Sequence, residues 1–309
     1  MTSLAGPAIV YTPSVIASSL VQDITNEQSQ QAMLTEQLGT GNRVNLPSDN
    51  PAAAAAILSI NGSLARAQQY NTNATDGLGW LALGNSTVNQ VLSSLQQARQ
   101  AVLSLSGAAL AGQSGSLTGI ATQVGSVRQQ VIGLSNTMYN GQAIFAGTGN
   151  VDTAYDSNGN YVGGGSAPTR TVAPGVAVPV SVVGTDIFGS GTTGLIGPTG
   201  VLAQLQSDIT TGTSASLQQA ETTDLTSLDN AITQVASQAA ALGANYQRMQ
   251  AFSQQANDAQ TALQQQLSGL DSVNVAQVTT QLSQVQQSFQ SALWATAQIQ
   301  QQTLVQFLG

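Results

Sequence analysis

The 309 residues suffice for one to three domains, and the 41% of hydrophobic residues suffice for a buried core. Only 6% of the residues are charged, and a net charge of -8 without lysine disfavours nucleic acid, because phosphate binding needs clustered cations. The absence of cysteine and histidine excludes disulfides, thiolate or imidazole metal ligands and the usual catalytic bases. We therefore expect no cofactor, no metal site and no enzymatic activity.

The sequence gives no sign of a membrane segment or a cleaved leader. No run approaches the roughly twenty apolar residues of a membrane-spanning helix. The first residues lack a basic region and contain Pro7 and Pro13, which disfavours a cleaved secretory signal. We expect a protein without membrane contact that, if exported, does not use a cleaved signal peptide.

The first predicted helix carries a seam with alternating spacings of four and three, formed by Leu20, Ile24, Glu27, Gln31, Leu34 and Leu38. Glycines and then Pro47 and Pro51 end this helix. Ser48, Asp49 or Asn50 can cap the next helix, with Pro51 in its first turn. This pattern predicts a joint between two helices.

The second predicted helix keeps one apolar face from Ile57 to Ser106, with Gln68, Thr75 and Leu78 among the seam positions. The region from Gly107 to Gly119 is typical of a turn. A third helix is predicted from Leu117 to Met138, packed back against the second.

The middle of the chain changes to a β-rich pattern. Tyr155 to Gly164 has a hairpin signature, and Thr169 to Phe188 alternates like half-buried strands. A short helix is predicted near Val201 to Thr211, and a long one from Leu225 to Leu270. This β-rich segment is therefore an insert between an N-terminal and a C-terminal half of the chain that are both mainly helical.

The last predicted helix lies between Asp271 and Gly309, after a break at Ser268 to Asn274. Its heptad seam contains Val278, Leu282, Val285, Phe289, Ala292, Thr296, Ile299 and Thr303, and Leu293, Leu304, Phe307 and Leu308 widen it. An apolar helix of this kind indicates a partner. Because Glu, Gln and Thr dilute both terminal seams, we expect these helices to pair weakly until other subunits complete the packing.

The predicted fold is mainly α: a long antiparallel helical bundle or coiled coil built from the N- and C-terminal halves, with a small β-rich central insert. The expected segments are an N-terminal helix (1–44), an N-terminal arm (45–147), the insert (148–200), a C-terminal arm (201–270) and a C-terminal helix (271–309).

Carboxylates are the remaining candidates for chemistry. Asp152 with Asp156, or Asp224 with Asp229, could in principle pair for acid-base catalysis, although isolated carboxylates are more often caps or solvated groups. Asp156, Asn158 and Asn160 resemble the start of a calcium loop, but Tyr161 replaces the required glycine, so a hairpin turn explains them better.

Four motifs follow one another along the chain. Two lie in its N-terminal half, GTGNRVNLPSDNPAAAAAI (Gly39 to Ile57) and LSNTMYNGQAIFAGT (Leu134 to Thr148). Two lie in its C-terminal half, ALGANYQRMQAF (Ala241 to Phe252) and the ending SFQSALWATAQIQQQTLVQFLG. In this order they resemble the two halves of the bacterial flagellin superfamily, and within it the hook-associated proteins of the hook-filament junction more than the flagellins.

The resemblance implies an extracellular structural subunit, exported unfolded by the flagellar type III pathway with an uncleaved signal. It implies self-association in a ring, a hook-associated protein on the hook side, flagellin on the filament side, and an export chaperone on the C-terminal helix. The expected subunit and chaperone interface consists of the helix seams: Leu20, Ile24, Leu34, Leu38, Val278, Leu282, Val285, Phe289, Leu293, Ile299, Leu304, Phe307 and Leu308. The alternatives are flagellin itself, an extracellular coiled-coil adhesin that binds through the insert, and a carboxylate hydrolase.

Overall fold

The computed structural model describes residues 13–105, 114–149 and 151–308, with side chains described for 18–105, 115–149 and 151–298. These residues form two compact units. The terminal unit contains the described residues up to Ala65 and from Thr261 onward, and the central unit contains Arg66–Gln260. Within the described ranges, no helix is both long and apolar enough to span a membrane.

The terminal unit is built on two helices, α1 (Pro13–Thr40) and α8 (Val275–Leu308), which pack against each other. The carbonyl of Gly41 accepts a hydrogen bond from the N–H of Val273 at 3.1 Å. This bond holds the end of α1 beside the start of α8, so the two helices run antiparallel from that point.

Helix α2 (Pro51–Leu103) begins at the predicted joint. The side chain of Asn50 accepts a hydrogen bond from the N–H of Ala53 at 3.0 Å, which makes Asn50 the capping residue. Asp49 instead accepts from the N–H groups of Asn45 and Leu46 at 3.1 and 2.8 Å, and so holds the preceding turn. The predicted joint is confirmed, with separate roles for the two neighbouring polar residues.

In the central unit, α2 runs antiparallel to α7 (Leu225–Asp271). Three contacts show this direction: Asn71 with Ser253 at 3.0 Å, Gly84 beside Leu242, and Arg99 with Asp229 at 2.6 Å. As the residue number rises along α2, the number of its partner on α7 falls. The core contains large residues of both helices that are almost fully enclosed, including Leu81, Val88 and Leu95 from α2 and Leu228, Val235 and Met249 from α7.

The predicted seam of α2 is shifted by about one residue over its first central turns. Ala67, Ala74 and Gly77 are buried, whereas the predicted seam residues Gln68 and Thr75 are exposed. The reason is close approach: a β-carbon at Gly77 would lie 2.6 Å from the Cε atom of Met249 and 3.0 Å from Val180. Small residues therefore face α7 here, and the larger polar residues turn outward.

Helix α3 (Ser114–Ser135) starts and ends earlier than predicted. The turn predicted from Gly107 to Gly119 is wrong from Ser114 onward, where the chain is helical, and its first part lies outside the described residues. Met138 is not helical but belongs to β1 (Met138–Tyr139), which pairs antiparallel with β2 (Gln142–Ala143). Asn140 and Gly141 form the turn with φ of 49° and 79°, which is the left-handed geometry that an Asn-Gly hairpin turn requires.

The central insert contains a second two-stranded sheet, β3 (Thr169–Ala173) paired antiparallel with β4 (Val176–Pro179). The predicted hairpin before it is present as a tight turn closed by a bridge between Tyr155 and Tyr161. The strand predicted to continue to Phe188 is wrong, because the chain forms a short helix, α4 (Gly184–Phe188), that buries Ile187 and Phe188.

Aromatic rings and an arginine hold the insert together. Phe188 packs edge-to-face against Phe145 and Tyr155, with ring centroids 5.6 and 5.5 Å apart. Arg128 of α3 donates hydrogen bonds to the carbonyls of Ile196 and Asn158 at 3.0 and 2.6 Å, and thereby ties two loops to the helix. Burial lowers the pKa of Arg128 from its ordinary value.

The insert leads into α5 (Val201–Thr211), at the predicted position, and then α6 (Ser214–Gln219). A π-helical turn, Ala220–Asp224, joins α6 to α7. The fold prediction is thus confirmed as a class: long helices from both halves of the chain with small antiparallel sheets between them.

Candidate assembly site on the terminal helices

The loop after α1 is bonded to the break between α7 and α8. The backbone N–H of Arg43 donates to the carbonyl of Asp271 at 2.6 Å, and its guanidinium donates to the carbonyl of Leu270. Gln37 donates from its side chain to the carbonyl of Arg43 at 2.9 Å. An isolated antiparallel bridge joins Asn42 and Ser272. Because carbonyls at a helix C-terminus lack intrahelical partners, Arg43 satisfies two of them, those of Leu270 and Asp271, and places a cation at the negative end of α7.

The predicted break between the last two helices is confirmed for residues 272–274, but it begins later than predicted, since α7 continues to Asp271 and α8 begins at Val275. Asn274 accepts a hydrogen bond from the N–H of Gln277 at 3.2 Å and so caps α8. Both terminal helices thus leave the joint from defined positions.

The predicted seam of α1 matches the pattern of exposure. Leu34 is 4% exposed, and the other five seam residues, Leu20, Ile24, Glu27, Gln31 and Leu38, are half-buried. This face packs against α8 within the terminal unit. Whether the same residues contact subunits or a chaperone stays a prediction.

The predicted seam of α8 is also the less exposed face over the described side chains. Val278 is 7% exposed, and Leu282, Val285 and Phe289 are half-buried. Leu293 does not join this seam, because the heptad places Ala292 and Thr296 on the packed face and leaves Leu293 45% exposed. The side chains of Ile299, Leu304, Phe307 and Leu308 lie outside the described ones.

A groove of about 640 Å³ lies in the terminal unit between α1 and α8 beside the joint. Its walls include six amide side chains: Gln30, Gln37, Asn274, Gln277, Gln281 and Gln284. One carboxylate oxygen of Glu27, a seam residue, is buried there without a hydrogen-bond partner. The packing between these helices is therefore wide and polar rather than tightly interdigitated.

Several large apolar side chains of the terminal helices remain exposed. Val21 of α1 is 58% exposed, and Val275 and Trp294 of α8 are 58% and 76% exposed. Buried hydrophobic residues of this unit are few among the described ones: Leu34, Ala53 and Val278. Sequence reasoning missed Trp294, because it lies off the heptad, although a tryptophan on the polar face of a helix was itself a signal.

Three of the four carboxylates considered for acid-base catalysis have other partners in the fold. Asp229 forms an ion pair with Arg99 at 2.6 Å, and Asp224 instead faces Asp208 of α5. Asp156 holds its own turn: hydrogen bonds from the side chain and backbone of Asn160 lower the pKa of Asp156 below its ordinary value. Among the described residues, no group of three or more acidic side chains is placed to hold a metal ion. Asp229 and Asp156 are therefore engaged in bonds within the fold.

The fold and the joint define a class of protein: a helical chain whose N- and C-terminal helices pack against each other through partly polar seams and keep apolar side chains exposed. Residues 13–150 match the model of the bacterial flagellin N-terminal helical region, and residues 225–308 match that of the bacterial flagellin C-terminal helical region. Together these regions cover more than half of the chain, which therefore belongs to the bacterial flagellin family.

Two similar relatives carry the name Flagellar hook-associated protein 3. The one from Salmonella typhimurium is 31% identical over 169 residues, covering 54% of this chain and 53% of the relative. The one from Escherichia coli is 28% identical over 182 residues, covering 58% and 57%. The chain thus spans a little over half of the length of these two relatives. A flagellin from Bacillus subtilis is 26% identical, covering 73% of this chain and 74% of the relative.

Solved structures show the same fold at low identity. A flagellar hook-associated protein from Vibrio parahaemolyticus superposes with a TM-score of 0.64 at 19% identity, covering 72% of this chain and 100% of that one. The flagellar junction protein FlgL from Legionella pneumophila gives 0.54 at 13% identity, covering 69% and 100%. At these identities the likeness concerns the fold alone.

Proposed function

We propose that this chain is a structural subunit of the bacterial flagellum that connects the hook, through another hook-associated protein, to the flagellin filament. Membership of the flagellin family and the two relatives named as hook-associated protein 3 support this proposal. The observation that carries it is the apolar surface that α1 and α8 leave exposed when they pair with each other.

The exposed surface is large enough to contribute to assembly. Covering the exposed part of an indole such as that of Trp294 removes on the order of 150 Å² from water, worth about 4 kcal/mol before the entropy of association. A helix pair with few buried residues gains more from a neighbour than a helix pair with a complete core does. The terminal helices are therefore the surfaces on which we expect subunits to pack.

The fuller proposal follows the flagellar role. Subunits associate in a ring, with the hook-associated protein on one side and flagellin on the other. The chain reaches this extracellular position by the flagellar type III pathway, and an export chaperone binds the C-terminal helix before secretion. The predicted interface residues are the α1 and α8 seams, to which the exposed Trp294 is added.

The test is genetic complementation in the source bacterium. Deletion of the gene should leave hooks without filaments while flagellin accumulates in the medium, and the wild-type gene should restore filaments. The Trp294→Ser variant should be secreted but should restore fewer filaments. The control is Gln290→Ser, one turn earlier on the exposed surface of α8. Intact filaments in the deletion strain would refute the proposal.

Flagellin itself is the second candidate, and the match to the Bacillus subtilis flagellin favours it. A flagellin polymerises without limit, whereas a junction subunit forms a short layer. Purified protein that grows long filaments from itself would decide for flagellin, and protein that caps or nucleates filaments of added flagellin would decide for the junction role.

A further inference from the structure

Two carboxyl groups meet in the central unit, outside both terminal helices. Asp224 closes the π-helical turn and is only 5% exposed. Asp208 lies on α5, which packs against that turn and against α6. The carboxyl group of Asp208 faces that of Asp224, close enough for a hydrogen bond once one of the two is protonated. The second oxygen of Asp224 is buried without any hydrogen-bond partner.

This geometry favours a proton on Asp224. The carboxyl group is buried with one oxygen that lacks a donor, and both features disfavour the charged form. Two ionised carboxylates can only accept hydrogen bonds, so Asp208 and Asp224 can bond to each other only when one of them is protonated. Burial, the hydrogen bond to Asp208 and repulsion from its charge together raise the pKa of Asp224 to about 6. Asp208 is additionally fixed by the side chain of Gln204, which donates to its carboxylate at 3.1 Å.

The charged groups nearby are either acidic themselves or bonded to other partners. Helix α6 contributes no titratable group, and the π-helical turn itself adds a further acid, Glu221. Asp229 at the start of α7 is occupied by Arg99. Arg128 of α3, the helix that packs on α5, donates to the backbone carbonyls of the insert.

We propose that Asp208 and Asp224 form a proton-linked latch, which holds α5 against the π-helical turn in mild acid and loosens that contact when both carboxylates ionise. The π-helical turn is a suitable place for such a device, since its hydrogen bonding departs from that of the flanking α-helices. Neither flagellin model covers residues 151–224, so both residues of the latch lie between the two matched regions of this chain.

The direction of the pH effect follows from proton binding. The folded chain holds a proton on Asp224 where an unfolded aspartate with the ordinary pKa near 3.9 has lost it. The stabilisation is therefore complete below about pH 4 and is lost as the pH rises through about 6. This sign is opposite to that of a salt-bridged or capping carboxylate.

Hydrogen exchange of the full-length chain tests the latch. After correction for the intrinsic pH dependence of exchange, amides of residues 201–224 should exchange about tenfold to a hundredfold faster at about pH 8 than at about pH 5. The Asp224→Asn variant, which keeps a donor toward Asp208 at every pH, should lose this difference. The exposed Asp258→Asn variant is the control and should keep it. An equal pH effect in Asp224→Asn would overturn the proposal.

A measurement on the unaltered protein removes any dependence on how a variant folds. The carboxyl ¹³C resonance of Asp224 should titrate with a midpoint near 6, and a midpoint near 4 would overturn the proposal. Calcium added at about pH 8 should leave the exchange of residues 201–224 unchanged. Restored protection would mean that the pair holds a cation rather than a proton, which also overturns it.

Discussion

Replacement of Arg43 by glutamine tests the joint between the terminal helices. The change removes a guanidinium that donates to the carbonyl of Leu270 at the C-terminal end of α7, and leaves the backbone bond from Arg43 to Asp271 in place. A cation at an exposed helix C-terminus contributes about 0.3–1 kcal/mol, and its hydrogen bond adds about as much at an exposed site. We therefore expect a local loss of about 1 kcal/mol.

Hydrogen exchange at the two backbone bonds that close the joint provides the assay. A loss of about 1 kcal/mol raises the local opening equilibrium about fivefold, so the amides of Arg43 and Val273 should exchange about fivefold faster. The effect should shrink in high salt, because the helix-end interaction is screened. Arg43→Lys keeps the charge and should show a smaller effect.

The matched control is Arg248→Gln, which removes the same charge from a position beside Phe252 in the central unit. It should leave the amides of the joint unchanged. Equal rates in Arg43→Gln and wild type, or equal acceleration in both variants, would refute the idea that this arginine stabilises the joint through the end of α7.

Three further outcomes are expected. Leu242→Ala should lower the free energy of unfolding of the central unit by about 2–5 kcal/mol in a denaturant titration, because Leu242 is fully buried. Leu103→Ala, at a 51% exposed leucine of the same unit, should lower it by much less, and equal losses would contradict the described core. The Asp156 turn should be stable above the ordinary aspartate pKa and should loosen as the pH falls through the lowered pKa of Asp156, measured as faster exchange of its turn amides. In the free monomer, amides of residues 18–38 and 275–298 should exchange much faster than those of the central core, and strong protection of both segments would show that the pair is stable alone.

The helices were predictable where caps and heptads coincide. The joint around Asn50 carries a polar cap and two prolines, and the break before Val275 carries a polar cap. Both terminal seams follow the heptad. Local chemistry decides these boundaries, so the sequence contains the information for them.

The structure differs from the sequence prediction where tertiary packing determines the local conformation. Ile187 and Phe188 continue an alternating pattern, yet they form a helix because their side chains enter an aromatic cluster with rings from distant parts of the chain. At Gly77 the buried face consists of small residues, which a hydrophobic pattern does not register. The β1–β2 turn is different, since the pair Asn140 and Gly141 is a local hairpin signal that can be recognised from the sequence alone.

The candidate site was predictable in its seams but not in its chemistry. Arg43 contacts Leu270 and Asp271 across more than two hundred residues, and nothing in either segment alone indicates this bond. The pair of Asp208 and Asp224 likewise depends on the packing of α5 against the π-helical turn. Contacts between charged residues that are distant in sequence can be identified only once the fold is known.

The division of burial between the two units gives the polar seams a physical meaning. The central unit encloses a continuous core, so its apolar side chains are buried by residues of the same unit. The α1–α8 pair places Glu27, Gln31 and Thr296 on its packed face and has few buried apolar residues among those described, so hydrophobic burial within the pair stabilises it little. Replacing Gln31 and Thr296 by leucine should therefore strengthen the pair in the monomer. If the terminal helices must remain available for other subunits, that same variant should assemble less well, and undiminished assembly would count against this account.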